Sequence, residues 1–313
     1  VAANDPPGVL GPGLAALGDV GGWLAPLWEA LQELGIDPDT LELPEETVVV
    51  QVGDLIHKGP DSEEIVALVD RIMAANPGRW RQLVGNHEAQ HLGGPEFWDC
   101  DCSPVLIRTL RSWWDNGQAT LAVAARLHAP ITIGTSGGEA GLLPGTDAGQ
   151  EVLLVHGGVT PGFLHGLGIS PPESAAATVR AIANQARQDP AKAFAAGRML
   201  ADTRRDAVPG PCWAEPVGEV CGAWHDFDTF GGQQLPWHLV HGHAMTYRWS
   251  RERPDPRLPR EPRRQALADL RARHSAVPVA GRWVIGIDPG FTTRAAGVLR
   301  AASLHAKIVG VND

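Results

Sequence analysis

Two apolar runs that each stop at a glycine and hand over to metal-capable side chains constrain this chain most. Val48–Val50 leads into Gly53-Asp54, and Leu83-Val84 leads into Gly85-Asn86-His87-Glu88. Short apolar runs bounded by turn residues read as strands covered on both faces of a parallel sheet. Between them, Ser62–Ala75 has apolar residues at Ile65, Val66, Leu68, Val69 and Ile72 and a good N-cap in Ser62, so it reads as the crossover helix. Strand–helix–strand puts Asp54, Asn86 and His87 at the carboxyl ends of neighbouring strands, where open α/β sheets collect their ligands.

The same grammar recurs three times. Asp19 follows the apolar run at Leu14–Leu17, His156 follows Glu151–Val155, and His241 and His243 follow Pro236–Val240. Asp19, Asp54, Asn86, His156 and His243 supply oxygens and imidazoles, a set suited to divalent Mn, Fe or Zn. Two such ions held about 3.5–4 Å apart clamp a phosphoryl group and activate a water.

The motifs GDVGG (Gly18–Gly22), GDLIHKG (Gly53–Gly59), GNHE (Gly85–Glu88), HGG (His156–Gly158) and GH (Gly242-His243), in that order, resemble those of the calcineurin-like metallophosphoesterases. The resemblance is to the branch of PPP-type phosphoprotein phosphatases and symmetrical diadenosine tetraphosphatases, and IGIDPG (Ile285–Gly290) resembles the strand after its last ligand. It implies an α/β sandwich of two mixed sheets flanked by helices, as one domain over 1–313 with a helical insertion at about 89–130, while the Arg/Pro-rich run at about 248–275 reads from its composition as a mobile loop. It also implies metal-dependent hydrolysis of phosphate esters or phosphoanhydrides, the substrate being a phosphorylated small molecule, dinucleotide or phosphoprotein. Two divalent ions are expected, with Asp19 on the first, Asp54 bridging, and Asn86, His156 and His243 on the second. His87 is the expected proton donor, oriented by Glu88 or a backbone carbonyl, and Lys58 faces the phosphoryl oxygens.

Three positions depart from the family pattern. Gly21 stands where the first motif has His, and His57 and Lys58 stand where the second has Asp and Arg. The first metal site is therefore expected to be weak, and a metal-binding pseudo-phosphatase with little turnover is the alternative reading. His57 is expected to serve the first metal, to hydrogen-bond His87, or to point outward.

A net charge of −10 argues against a nucleic-acid or anionic-membrane binder. No apolar run approaches the ~20 residues of a membrane span, and no signal-peptide pattern opens the sequence, so a cytoplasmic location is expected. Cys100-x-Cys102 is tight, and Cys212 to Cys221 loose, for common zinc spacings; free thiols are the favoured reading, with a zinc staple joining the two pairs as the alternative. Pro104–Trp114, Ala119–Leu127 and Gln265–Arg273 read as helices, Ala201–Gly232 as a loop bearing Arg204, Arg205 and His225, and Gly297–Leu304 with Ala306–Val311 as a closing hairpin.

Overall fold

The computed structural model describes residues 13–134, 140–169, 174–200, 207–270, 273–289, 302–304 and 306–308. The first sheet is built from β1 (Gly13–Leu17), β2 (Thr47–Gln51), β3 (Trp80–Leu83) and β4 (Ala119–Thr120), which run parallel to one another in that order. The second contains β5 (Ala122–Leu127), β8 (Glu151–Val155), β9 (His238–His241), β12 (Leu267–Asp269), β13 (His274–Val279) and β14 (Arg282–Gly286). Between β5 and β8 lies the ribbon of β6 (Thr132–Gly134) and β7 (Ala140–Leu142); β10 (Tyr247–Arg248) and β11 (Arg253–Pro254) form another. Of the last two strands, β15 (Ala302–Leu304) closes the first sheet against β1, and β16 (Ala306–Ile308) joins the second against β5.

Strand alternation explains why the runs are apolar throughout. Leu14 and Ala16 of β1 share a buried cluster with Val50, Val52, Val123, Val152, Leu154, Val240 and Ile285, which fills the space between the sheets. Ala15 and Leu17, on the other face, pack in a second cluster with Leu27, Leu31, Ile65 and Val69 from the helices Leu24–Glu33 and Ser62–Ala75. A sheet covered on both faces needs apolar residues at both parities. The two sheets with flanking helices are the expected sandwich.

Several elements differ from expectation. Ala119–Leu127 is strand, not helix: β5 lies between β8 and β16, with Val123 and Ala125 in the cluster between the sheets and Ala122 and Ala124 in the cluster on the helix-covered face. The span after residue 89 therefore contributes one long helix, Pro104–Asp115, before the chain returns to the sheets. Helix at Arg260–Gln265 gives way to β12 rather than running to Arg273. The loop expected near Cys221 holds a π-helical turn, Pro216–Gly222, continued by the helix Ala223–Gly231 that carries His225. β15 and β16 pair with different sheets, so they form no hairpin, and Gly297 to Ala301 lie outside the described residues, as do Arg204 and Arg205.

Candidate active site

The site begins with two turns laid backbone against backbone. A Cβ on Gly53 (φ +107°) would lie 2.5 Å from the Gly85 nitrogen, and one on Gly85 would strike the Asp54 carboxylate, so only glycine permits this approach. Beyond it, Asp54, His57 and Lys58 hold left-handed backbone at φ +55°, +68° and +59°, conformations that survive only where neighbours over-determine them. Glu88 is one such neighbour. Its carboxylate accepts from the backbone N–H groups of Asp54 (2.9 Å), Leu55 (2.8 Å) and Gly85 (2.9 Å), tying the two turns together. Burial and the nearby Asp54 charge push its pKa up to about 7, against those three donors. Glu88 thus braces the turns and does not orient His87.

Asp54 is buried at the centre. Its Oδ1 lies 3.3 Å from His156 Nε2, and its Oδ2 lies 3.6 Å from Lys58 Nζ and 3.8 Å from His87 Nε2. Burial alone would raise the Asp54 pKa, but the positive charge that His156 and His87, when protonated, and Lys58 place beside it holds it below the usual carboxylate range. Burial also keeps the His156 and His87 imidazoles neutral, His87 down at about 4, so Lys58 is the partner that stays charged. Desolvation works against the Lys58 ammonium, yet Asp54, Asp19 and Asp288 raise its pKa above the ordinary value.

His156 decides how the centre is to be filled. Its Nδ1 lies 2.9 Å from the Val52 carbonyl and donates to it, which leaves a bare lone pair on Nε2. That nitrogen faces Asn86 Oδ1 at 3.0 Å and Asp54 Oδ1 at 3.3 Å, and His243 Nδ1 lies 3.0 Å from the same Asn86 oxygen. The His156 Nε2 lone pair, the Asn86 oxygen and the Asp54 carboxylate, facing one another in a buried space, repel unless a cation lies among them. Asp54, Asn86, His156 and His243 therefore fit a divalent ion, and all four are brought together as expected.

Asp19 is fully buried and accepts from the His243 backbone N–H at 3.2 and 3.1 Å, and it shares a metal-capable group with Asp54 and His156. Burial, then repulsion from Asp288 and Asp54, drives its pKa well above the carboxylate norm. A second cation would relieve the same repulsion, so the donors suit an ion here too. Gly21 (φ +59°) adds no side chain, and its N–H donates to the Asp54 carbonyl at 2.7 Å. Asp288 is buried beside Asp19, and in the sequence it is legible only as part of the IGIDPG strand end.

His57 takes one of the arrangements open to it: its Nδ1 lies 2.7 Å from His87 Nδ1. Its Nε2 turns away from Asp19 and Asp54 toward His91 and Cys102, so it is no ligand of the first metal. His87 is walled on its other side by Phe97 and Trp98, with ring centroids 4.9 and 5.1 Å away. His241 is buried, with Nδ1 2.8 Å from the Gly242 carbonyl and Nε2 unpartnered among the described residues.

A family model described as calcineurin-like phosphoesterase matches residues 14–278, well over half of the chain. The chain belongs to the calcineurin-like phosphoesterases. At the level of the family, this phosphoesterase is a metal-dependent hydrolase of phosphoesters. Among solved structures it is similar to a single-residue variant of a cold-active protein tyrosine phosphatase, at 14% identity, 90% of this chain, 74% of that chain and a TM-score of 0.49. The cold-active enzyme of a psychrophilic Shewanella is similar at 16% identity, 75% of this chain, 68% of that chain and a TM-score of 0.44. A protein assigned as a diadenosine tetraphosphatase is similar at 16% identity, 87% of this chain, 91% of that chain and a TM-score of 0.33.

Proposed function

We propose that this phosphoesterase hydrolyses phosphate esters or phosphoanhydrides of small molecules, dinucleotides or phosphoproteins with two divalent ions, manganese among the candidates. The observation that carries this reading is the convergence of His156 Nε2 and His243 Nδ1 on Asn86 Oδ1, each at 3.0 Å, beside Asp54. Asp54, Asn86, His156 and His243 would hold one ion, and Asp19, Asp54 and Asp288 would surround the other. Bound there, the ions supply Lewis acidity toward the phosphoryl oxygens and a more acidic water.

The side chains complete the chemistry. The Lys58 ammonium, partly exposed and held cationic by the carboxylates around it, meets the phosphoryl oxygens as a point charge. His87 Nε2 faces the Asp54 side of the cleft, where an arriving phosphate dianion favours its protonated form and readies it to protonate the leaving oxygen. Cytoplasmic location remains part of the proposal; among the described residues no helix is long and apolar enough to cross a membrane.

The test is turnover of aryl phosphate mono- and diesters and a dinucleoside polyphosphate by protein stripped with chelator and reloaded with Mn, Fe or Zn. Metal-restored turnover is the expected result. Tight metal binding without turnover on any of these would favour the pseudo-phosphatase reading, which Gly21 and His57 motivate.

A further inference from the structure

Beside the cleft, and separate from its carboxylate–imidazole set, four soft ligands meet. His57 Nε2 lies 3.3 Å from His91 Nε2 and 3.4 Å from Cys102 Sγ; Cys100 Sγ lies 3.8 Å from His91 Nε2 and 2.8 Å from Cys102 Sγ. All four ligand atoms fall within 4.8 Å of one another. Bond lengths of about 2.0–2.1 Å to nitrogen and 2.3 Å to sulfur in a tetrahedral zinc site put ligand atoms about 3.3–3.8 Å apart, so the thiols need separate by only about an ångström. Cys212 and Cys221 do not join them: both are buried elsewhere, Cys212 with its Sγ 3.2 Å from the Val84 carbonyl. The staple between the two cysteine pairs is therefore not formed.

We propose that His57, His91, Cys100 and Cys102 bind a structural Zn²⁺ ion. Two imidazoles and two thiolates give a closed, four-coordinate, charge-neutral site, the donor set zinc prefers over Mg or Mn. The segment carrying the thiols is anchored on both sides. Gln90 receives the Trp98 N–H at 3.1 Å and donates to the Trp98 carbonyl at 3.1 Å, and Ser103 donates its N–H and hydroxyl to Glu63 at 2.9 and 2.8 Å. Binding converts two thiols to thiolates and releases two protons per ion. Zinc on His57 Nε2 also fixes the orientation of that ring against His87, whose Nδ1 lies 2.7 Å from His57 Nδ1. His57 is then a positioning residue that stands where the family keeps a carboxylate.

The test uses the full chain, purified under reduction without chelator. Elemental analysis counts zinc, and Co²⁺ titration of stripped protein looks for thiolate-to-cobalt charge-transfer absorbance, which no ligand of the cleft produces. The expected result is one equivalent with this absorbance, lost with one equivalent of zinc in the Cys100→Ser/Cys102→Ser double variant. Because the signal needs sulfur, it appears even if the cleft binds nothing, so the two readings fail separately. If the double variant does not fold, zinc is expected to slow maleimide labelling of Cys100 and Cys102 in the parent protein at least tenfold, mapped by peptide mass spectrometry. No charge-transfer band, unchanged labelling, or a Cys100–Cys102 disulfide that excludes zinc from reduced-and-repurified protein would overturn the assignment.

Discussion

The two clusters on either side of the His57–His87 contact are made from different materials and delivered in different ways. Asp19, Asp54 and His156 sit at strand ends, fully buried, with Asn86 on the turn after β3. His91, Cys100 and Cys102 come from short or irregular backbone between β3 and the helix Pro104–Asp115, and each is only partly buried. Strand ends fix atoms through two layers of core and serve chemistry that tolerates little displacement. A loop cluster tolerates more, because its ion would itself set the geometry. The difference separates a site that the fold prepares from one in which a ligand finishes the fold.

Four substitutions break or sharpen that contrast. Asp54→Asn removes charge from both cleft ions, so turnover of an aryl phosphate should fall by several orders of magnitude while the thiol-bound ion stays. Loss of all ions together, by elemental analysis, would mean that the clusters are one unit. His87→Asn should lower turnover by ~10²–10⁴-fold, the usual worth of a proton donor, with metal content unchanged; departure of an ion with it would make His87 a ligand. His57→Asp trades a zinc ligand for the carboxylate of the family pattern, in a left-handed conformation that Asp accepts better than most residues. One equivalent of zinc should go, and turnover should drop by no more than about 10-fold, the low end of the ~10–100-fold loss expected when an orienting partner is removed outright. Glu88→Gln turns an amide –NH₂ toward backbone donors that need an acceptor. Denaturant titration should show a loss of about 1–3 kcal/mol, the cost of one buried unsatisfied group, with no change in ion count.

Much of the first cluster was legible in the residues because strand periodicity and a terminal glycine place each ligand locally, and motif order relates the ligands to one another. The same signal located β1, β2, β3, β8 and β9. It failed at β5, where Ala122, Ala124 and Ala125 carry no β-branched bias and pairing with distant strands overrides helix propensity. It failed again at β12, which forms only because β13 is beside it. The second cluster was hidden for another reason. His57 is thirty-four residues from His91, and the thiols have no periodic register to either, so only the tertiary packing of residues 90–103 on the Asp54 loop reveals their proximity. Asp288 is hidden likewise, since its meaning depends on Asp19 from the other end of the chain.

The split of β15 and β16 between the two sheets bears on how the molecule is made. On a ribosome the chain emerges from β1 onward, yet β1 and β5 receive these outer neighbours from residues 302–308. At ~5–20 residues per second, the nascent β5 waits roughly 10–40 s for residues 306–308 to be synthesised. Throughout that interval the longer strands β1 and β5, rather than the three-residue β15 and β16, are the edges of their sheets, a surface on which strands of other nascent copies can add. Biogenesis of this molecule therefore leaves β1 and β5 as outer strands until late in translation, and a stall before residue 302 would release a chain with both layers built and those two longer strands at their edges.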